Sequence, residues 1–355
     1  MVALHDWLEQ HADTLDQEQH LADELMPALA AAGRFRVGVP LALGGDGGSV
    51  GDAICAIADV AEQSVTAAFV YWGQRTFIEY LLQSPNTALC QRLMPPLLDG
   101  RLAGATGLSN AMKFLSGMEP LQITAAADAE QGSWQLNGQL AWVTNLHPAH
   151  FVAAAAVAPT DGSAPIIVAF DSKAAGVQRS ANLELIALCS SHTAAVKIEQ
   201  VAVNADDVIS ADAPGWLPQV RPAFLGMQCG MSIGLARASL KVAATLAGTN
   251  RGQLSERIAE AQASLAQQVA ALLEGVADGR FVRQAADLFR LRIALAESVQ
   301  QALTLELQAK GGLAYLVGHQ HGFGRRWRES AFIPVITPSL TQLQAALAQQ
   351  AAARP

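Results

Sequence analysis

Apolar residues recur every three or four positions at both ends of this chain and alternate with polar ones in its middle. A segment cannot keep the helical and the strand period at once, so the chain has to divide into helical, β and helical regions in that order. In the first region Trp7, His11 and Leu15, then Leu21, Leu25, Leu29 and Ala32, share helical faces. Gly33 can end that helix, because glycine accepts the left-handed backbone. A short apolar stretch over 37–43 leads into the glycines of 44–48, and helix is expected again over 52–68 and 74–82. Pro85 and the Pro95-Pro96 pair punctuate it.

The middle changes period. Residues 134–144 alternate around Asn137-Gly138, a pair that predicts a tight hairpin turn there. Residues 151–157, 166–170 and 194–203 read as further strands of a compact all-β module. Helical spacing returns over 221–246, 258–277 and 281–310, where Gly311-Gly312 stops it. A last helix is expected over 340–352. The alanine-rich faces suit a helical bundle. The expected fold is α+β and multidomain: an N-terminal helical domain over 1–103, a middle β-barrel or sandwich domain over 104–215, and a C-terminal four-helix bundle over 216–355.

The chain has 355 residues, of which 51% are hydrophobic, enough to bury a large core, so wholesale disorder is excluded. Only 15% are charged, which points to surface covered by subunit contacts. With 23 Lys+Arg against 31 Asp+Glu and no basic stripe, the chain is a poor nucleic-acid binder. Cys55, Cys90, Cys189 and Cys229 stand far apart without a C-x-x-C, which supports neither a zinc site nor a disulfide framework. The acidic N-terminus lacks a secretory pattern, and no apolar run approaches the roughly 20 residues that cross a bilayer. A cytoplasmic protein with no membrane partner is expected.

Several short motifs could carry chemistry, although each alone has a plain reading. The 44–48 glycines match neither G-x-G-x-x-G nor G-x-x-x-x-G-K-[ST], and a tight turn explains them. In Trp142-Val143-Thr144-Asn145 a tryptophan could lie on a planar ring and a threonine hydroxyl could bond a ring nitrogen; a half-buried Trp and a strand-ending Thr would look the same. Thr106-Gly107-Leu108-Ser109-Asn110 reads as a hydroxyl-bearing loop free of helix. Arg251, between two long helices, could pair with a phosphate or merely be solvated. Gln308…Gly311-Gly312 ends a helix where a backbone or ligand could approach closely. His147/His150 and His319/His321 have no carboxylate or cysteine beside them in sequence, so no metal is expected. There is no G-x-S-x-G, so a serine hydrolase is not supported.

The order of these motifs is more specific than any one of them. Gly38-Val39-Pro40…Gly44-Gly45-Asp46-Gly47 is followed by Ala105-Thr106-Gly107-Leu108-Ser109, Leu136-Asn137-Gly138…Trp142-Val143-Thr144-Asn145, Gly234-Leu235-Ala236-Arg237-Ala238, Arg251…Leu254…Ile258, Gln308…Gly311-Gly312…Tyr315 and Arg325…Arg328-Glu329. Over nearly its whole length the chain resembles the acyl-CoA dehydrogenase family. The resemblance implies FAD held between the β-domain and the bundle, completed by a neighbouring subunit of a homodimer or homotetramer. It implies that Ser109 bonds the flavin pyrimidine edge, Trp142 flanks the isoalloxazine and Thr144 bonds near N5. Arg251 would reach the pyrophosphate, with Gln308, Gly311 and Gly312 at the adenosine-diphosphate half.

The departures from the family pattern are equally specific. Thr337 stands where the family carries the glutamate that abstracts the α-proton of an acyl thioester, and a neutral hydroxyl is not that base. The alternative base position falls at Phe224, near Arg221. Asn110 replaces a glutamate and Leu254 a phenylalanine, while Ser339 could keep a hydroxyl beside the flavin. Glu329, His319 and His321 are candidate replacement bases. The resemblance therefore implies an FAD-dependent oxidoreductase acting on an acyl thioester, with an electron-transfer flavoprotein as electron partner. Its alternatives are a flavin-dependent monooxygenase fed by a flavin reductase, which needs no such base, and a degenerate member that turns nothing over.

Overall fold

The computed structural model describes residues 3–115, 117, 119–128, 132–250, 252–318 and 322–352, with the side chains of 249 and 250 left aside. The chain opens with α1 (Leu4–Gln17), α2 (Ala22–Ala31), α3 (Val50–Gln63), α4 (Val65–Leu82) and α5 (Thr87–Leu98). The middle holds β1 (Ala103–Thr106), α6 (Ser109–Leu115), β2 (Ile123–Asp128), β3 (Ser133–Val143), β4 (Phe151–Pro159), β5 (Ile166–Asp171), β6 (Val177–Arg179), β7 (Ala194–Asn204) and β8 (Val208–Ser210). Helices return as α7 (Ala213–Asn250), α8 (Ser255–Ala277), α9 (Arg280–Arg283), α10 (Ala285–Lys310), α11 (Phe323–Ser330) and α12 (Leu340–Ala352). Among the described residues, no helix is long and apolar enough to cross a membrane.

Helix boundaries follow caps more than apolar spacing. The expected helix over 52–68 breaks at Ser64, whose hydroxyl accepts from Ala67 N and starts a new helix, α4. No glycine or proline marks that break. The gap expected between 68 and 74 is absent. Residues 65–81 are all buried, so α4 is a central helix with no solvent face to show a period. The glycines of 44–48 do form a turn: Val39 pairs with Gly47, and Gly44, Gly47 and Gly48 have positive φ. The helix expected over 281–310 is interrupted at Gln284. Gly311 does end α10, at φ 65°.

Asn137-Gly138 is not a hairpin turn. β3 runs straight through it, paired to β2 on one side and β7 on the other. The bulge lies on the neighbouring strand: Gln200 of β7, at φ 54°, is left without a β3 partner between the Leu136 and Asn137 pairs, and Asn137 Oδ1 accepts from Gln200 N (3.0 Å) and Gln200 Nε2 (2.9 Å). A Cβ on Gly138 would lie 2.4 Å from Gln122 O, so close backbone approach demands the glycine. The strands follow the order β6-β7-β3-β2-β4-β5-β8, with β1 parallel to β4. β2 and β4 join through only two residue pairs, so the set behaves as two four-stranded halves.

The helical regions share a core. Gly226, Gly230 and Gly234 line one edge of α7 and let α3 lie against it; a Cβ on Gly234 would come 2.1 Å from Ala58 O. Trp72 Nε1 donates to Phe224 O (3.2 Å), tying α4 to α7.

Candidate active site

A cavity of about 530 Å³ opens where α4, the end of β1, α6, the end of β3 and the segment after α11 meet. One wall is aromatic. Phe69 stacks on Trp72 (5.7 Å), Phe332 meets Phe69 edge-on (4.5 Å), and Trp72 meets Phe224 (5.2 Å). Residues 140–143 of β3, Thr144 and the 185–188 loop also line the cavity.

The end of β3 and the two residues after it carry the polar part of the site. Thr144 is buried, and its Oγ1 donates to Ser191 O (3.1 Å). Asn145 follows at φ 60°, a conformation asparagine tolerates better than most residues. Its Nδ2 donates to Gln74 Oε1 (2.8 Å) and Gly104 O (2.9 Å). Trp142 stands at the rim and is 66% exposed, an indole face free for a planar partner. Thr106 shares a 2.6 Å hydrogen bond with Tyr80 OH.

Ser109 lines the cavity but is not in a loop: it begins the short helix α6, which buries Ala111 and Met112. Asn110 is spent on structure, donating to Pro120 O (2.9 Å) and accepting from Gln122 N (2.9 Å).

Among the described lining residues, Lys113 and Arg328 are the ionisable ones. Each has a carboxylate, Lys113 with Glu119 (2.7 Å) and Arg328 with Asp16 (2.7 Å). Burial pushes the Asp16 carboxyl up against the pull of Arg328. Thr337 lies on the wall, its carbonyl accepting from Gln228 Nε2 (3.1 Å).

Ser109, Trp142, Thr144 and Thr337 are therefore brought together. Glu329 is not. It is fully buried, accepts from Val65 N (2.9 Å) and Arg325 Nη1 (3.0 Å), and anchors the first turn of α4. Burial raises it to about 7, with the Arg325 charge opposing. Ser339 is turned to the start of α12, where its hydroxyl accepts from Gln342 N (3.3 Å). Gln308, Gly311 and Gly312 sit at the far end of α10, Gln308 bonded to Arg257 Nη1 (3.0 Å). Arg251, His319 and His321 lie outside the described residues. The aromatic wall and the 185–188 loop had no counterpart in the sequence reading, since an evenly apolar α4 offers no face to single out.

Comparisons with known proteins bear on the family and the fold. Residues 4–101 match the family description "Acyl-CoA dehydrogenase, N-terminal domain". Benzylmalonyl-CoA dehydrogenase of Aromatoleum aromaticum is 24% identical over 244 residues, 68% of this chain and 64% of that protein's length. These matches support an acyl-CoA dehydrogenase-like family. Glutaryl-coenzyme A dehydrogenase, solved with glutaryl-CoA, shares the fold at a TM-score of 0.83 over 99% of this chain and 94% of that one, with 17% identity. A protein solved with FMN and a dTDP-linked amino-keto sugar shares it at 0.79 over 99% and 91%, with 19% identity. The acyl-CoA dehydrogenase-like fold thus occurs with quite different small molecules.

Proposed function

We propose that this acyl-CoA dehydrogenase-like chain is a flavin-dependent oxidoreductase that holds the isoalloxazine ring of FAD in the cavity beside Trp142 and Thr144. The observation that carries the reading is the convergence on one 530 Å³ cavity of an exposed indole, a buried threonine, Ser109 and an aromatic wall. Such a lining fits a flat ring with a polar edge. When bound, the flavin supplies two-electron redox chemistry at its ring. The chain's own residues position it: Gln74 and Ser191 hold the Thr144–Asn145 turn, and the aromatic wall keeps water from the ring.

Thr337 lines the cavity wall, and the resemblance assigns its sequence position to the thioester-deprotonating glutamate. A hydroxyl there favours oxygen-dependent monooxygenation, with electrons from a flavin reductase, over α,β-dehydrogenation of an acyl thioester passing electrons to an electron-transfer flavoprotein. Gln308, Gly311 and Gly312 would serve the flavin of a neighbouring subunit in a homodimer or homotetramer. The exposed run Leu313, Tyr315, Leu316 and Val317 beside them fits a surface covered in such an assembly.

Flavin content and turnover test both statements. A purified chain that absorbs as a flavoprotein, or takes up FAD, supports the class; a colourless chain that cannot be reconstituted overturns it. Within the class, oxygen-dependent product formation with an added reductase supports monooxygenation. Anaerobic bleaching by a panel of acyl-CoAs assigns dehydrogenation instead.

A further inference from the structure

Outside the cavity, two imidazoles and a carboxylate converge from three separate elements. Asp23 is in the first turn of α2, His147 in the turn after β3, and His192 just before β7. Each brings one ligand-capable atom to within 4.8 Å of the others. Asp23 Oδ1 lies 3.0 Å from His192 Nε2 and 3.4 Å from His147 Nε2, and the two rings meet edge-on at 5.0 Å. His150, the sequence neighbour expected to accompany His147, instead pairs with Asp171 (2.9 Å).

His192 is only 4% exposed, and neither of its ring nitrogens makes a well-formed hydrogen bond. Buried ring nitrogens are ordinarily satisfied, but here Nδ1 is left unpaired and Nε2 meets the Asp23 carboxylate at 3.0 Å outside hydrogen-bond geometry. Asp23 is exposed and leaves the cluster open to solvent.

We propose that Asp23, His147 and His192 form a site for one divalent ion of the zinc class, clamping α2 to the two loops beside the cavity. Two imidazoles and one carboxylate are the donors such ions prefer, with water completing the shell. Tetrahedral bonds of about 2.0–2.1 Å set ligand atoms about 3.3 Å apart, close to the spacing Asp23 already keeps from both rings. Two features oppose binding. His147 Nδ1 accepts from Ala149 N (3.2 Å), a bond given up when Nε2 ligates and the ring proton moves to Nδ1. The Arg179 charge also faces both rings, though its guanidinium is held by Leu146 O (2.6 Å) and Ser180 O (2.6 Å) and the Asp23 carboxylate offsets it.

The clamp would bear on the cavity. The 188–193 loop accepts the Thr144 hydroxyl at Ser191 O, and Leu188 N donates to Asp16, the partner of Arg328. The site does not depend on the flavin reading, because it can be loaded without flavin.

The test uses the untagged full-length chain, stripped with EDTA and titrated with zinc chloride by calorimetry, with thermal unfolding measured alongside. One equivalent bound, a raised Tm, and at least about tenfold weaker binding in both Asp23→Asn and His147→Gln support the site. His192→Ala removes a buried ring and is not needed, because Asp23 is exposed and its asparagine variant keeps the shape. Zinc uptake by the Asp23→Asn, His147→Gln double variant equal to that of the unaltered chain, or no uptake by either, overturns it.

Discussion

Gln74 is buried in α4 and uses all four of its hydrogen-bonding positions. Its Nε2 donates to Leu97 O and Leu102 O (2.9 Å each), and its Oε1 accepts from Gly104 N (2.6 Å) and Asn145 Nδ2 (2.8 Å). Gln74→Leu keeps the volume and removes every bond. Leu97 O keeps Gly100 N, and Asn145 Nδ2 keeps Gly104 O, so those two lose a net bond at about 0.5–1.5 kcal/mol each. Leu102 O and Gly104 N lose the partner that Gln74 supplied, at about 1–3 kcal/mol each. Added up and set against the gain from burying a leucine, the expected loss is about 4 kcal/mol, a large effect for one side chain. Guanidinium unfolding of the flavin-free chain measures it. The control is Thr76→Val on the same helix: Thr76 Oγ1 is buried without a partner, so its removal should cost under about 0.5 kcal/mol or stabilise. A Gln74→Leu loss below about 1 kcal/mol, or an equal loss in Thr76→Val, would refute the view that polar satisfaction holds this junction.

Other expectations rest on separate features. Because burial raises Glu329 to about 7, the folded state holds a proton there that the unfolded chain gives up nearer 4.5. That contribution is fully present below about 4.5 and is lost as pH rises through about 7. Glu329→Gln should flatten this slope in Tm measured across pH, and an unchanged slope counts against the assignment. Trp142→Ala, at an exposed rim, should leave unfolding unaltered and weaken flavin binding about three- to tenfold, read by fluorescence titration; equal affinity removes Trp142 from the site. Gly234→Ala would press a Cβ onto the Ala58 carbonyl and should cost about 1–3 kcal/mol, whereas Gly248→Ala, on open helix surface, should stabilise by up to about 1 kcal/mol. Denaturant midpoints separate the two, and similar midpoints would contradict the packing argument.

The helical ends were readable because their helices keep one wet face. Leu340, Leu343 and Leu347 mark α12, and the structure places that helix at Leu340–Ala352. α4 defeated the same reasoning because it has no wet face, and the Ser64 break was hidden because a serine cap looks like any other serine. Asn137-Gly138 misled for a different reason. Asparagine suits a turn but here binds the bulged Gln200 of β7, and glycine suits a turn but here admits the Gln122 backbone, so only the partner strands decide between the two.

The candidate site divides along the same physical line. Ser109, Trp142 and Thr144 were legible because their motifs are local in sequence. Phe69, Phe332 and the Asp23–His147–His192 cluster arise from contacts between distant segments, which leave no spacing to read. Asn145 shows how the two kinds of information meet. In sequence it is only the residue after Thr144. In the structure its φ of 60° turns the chain away from β3, and its amide, gripped by Gln74 Oε1 and Gly104 O, fixes that turn from inside the helical core. Trp142 and Thr144 present the surface that a ring would meet, while Asn145 sets where they point. A substitution at Asn145 should therefore disturb the cavity as much as one at Thr144, although it does not line it.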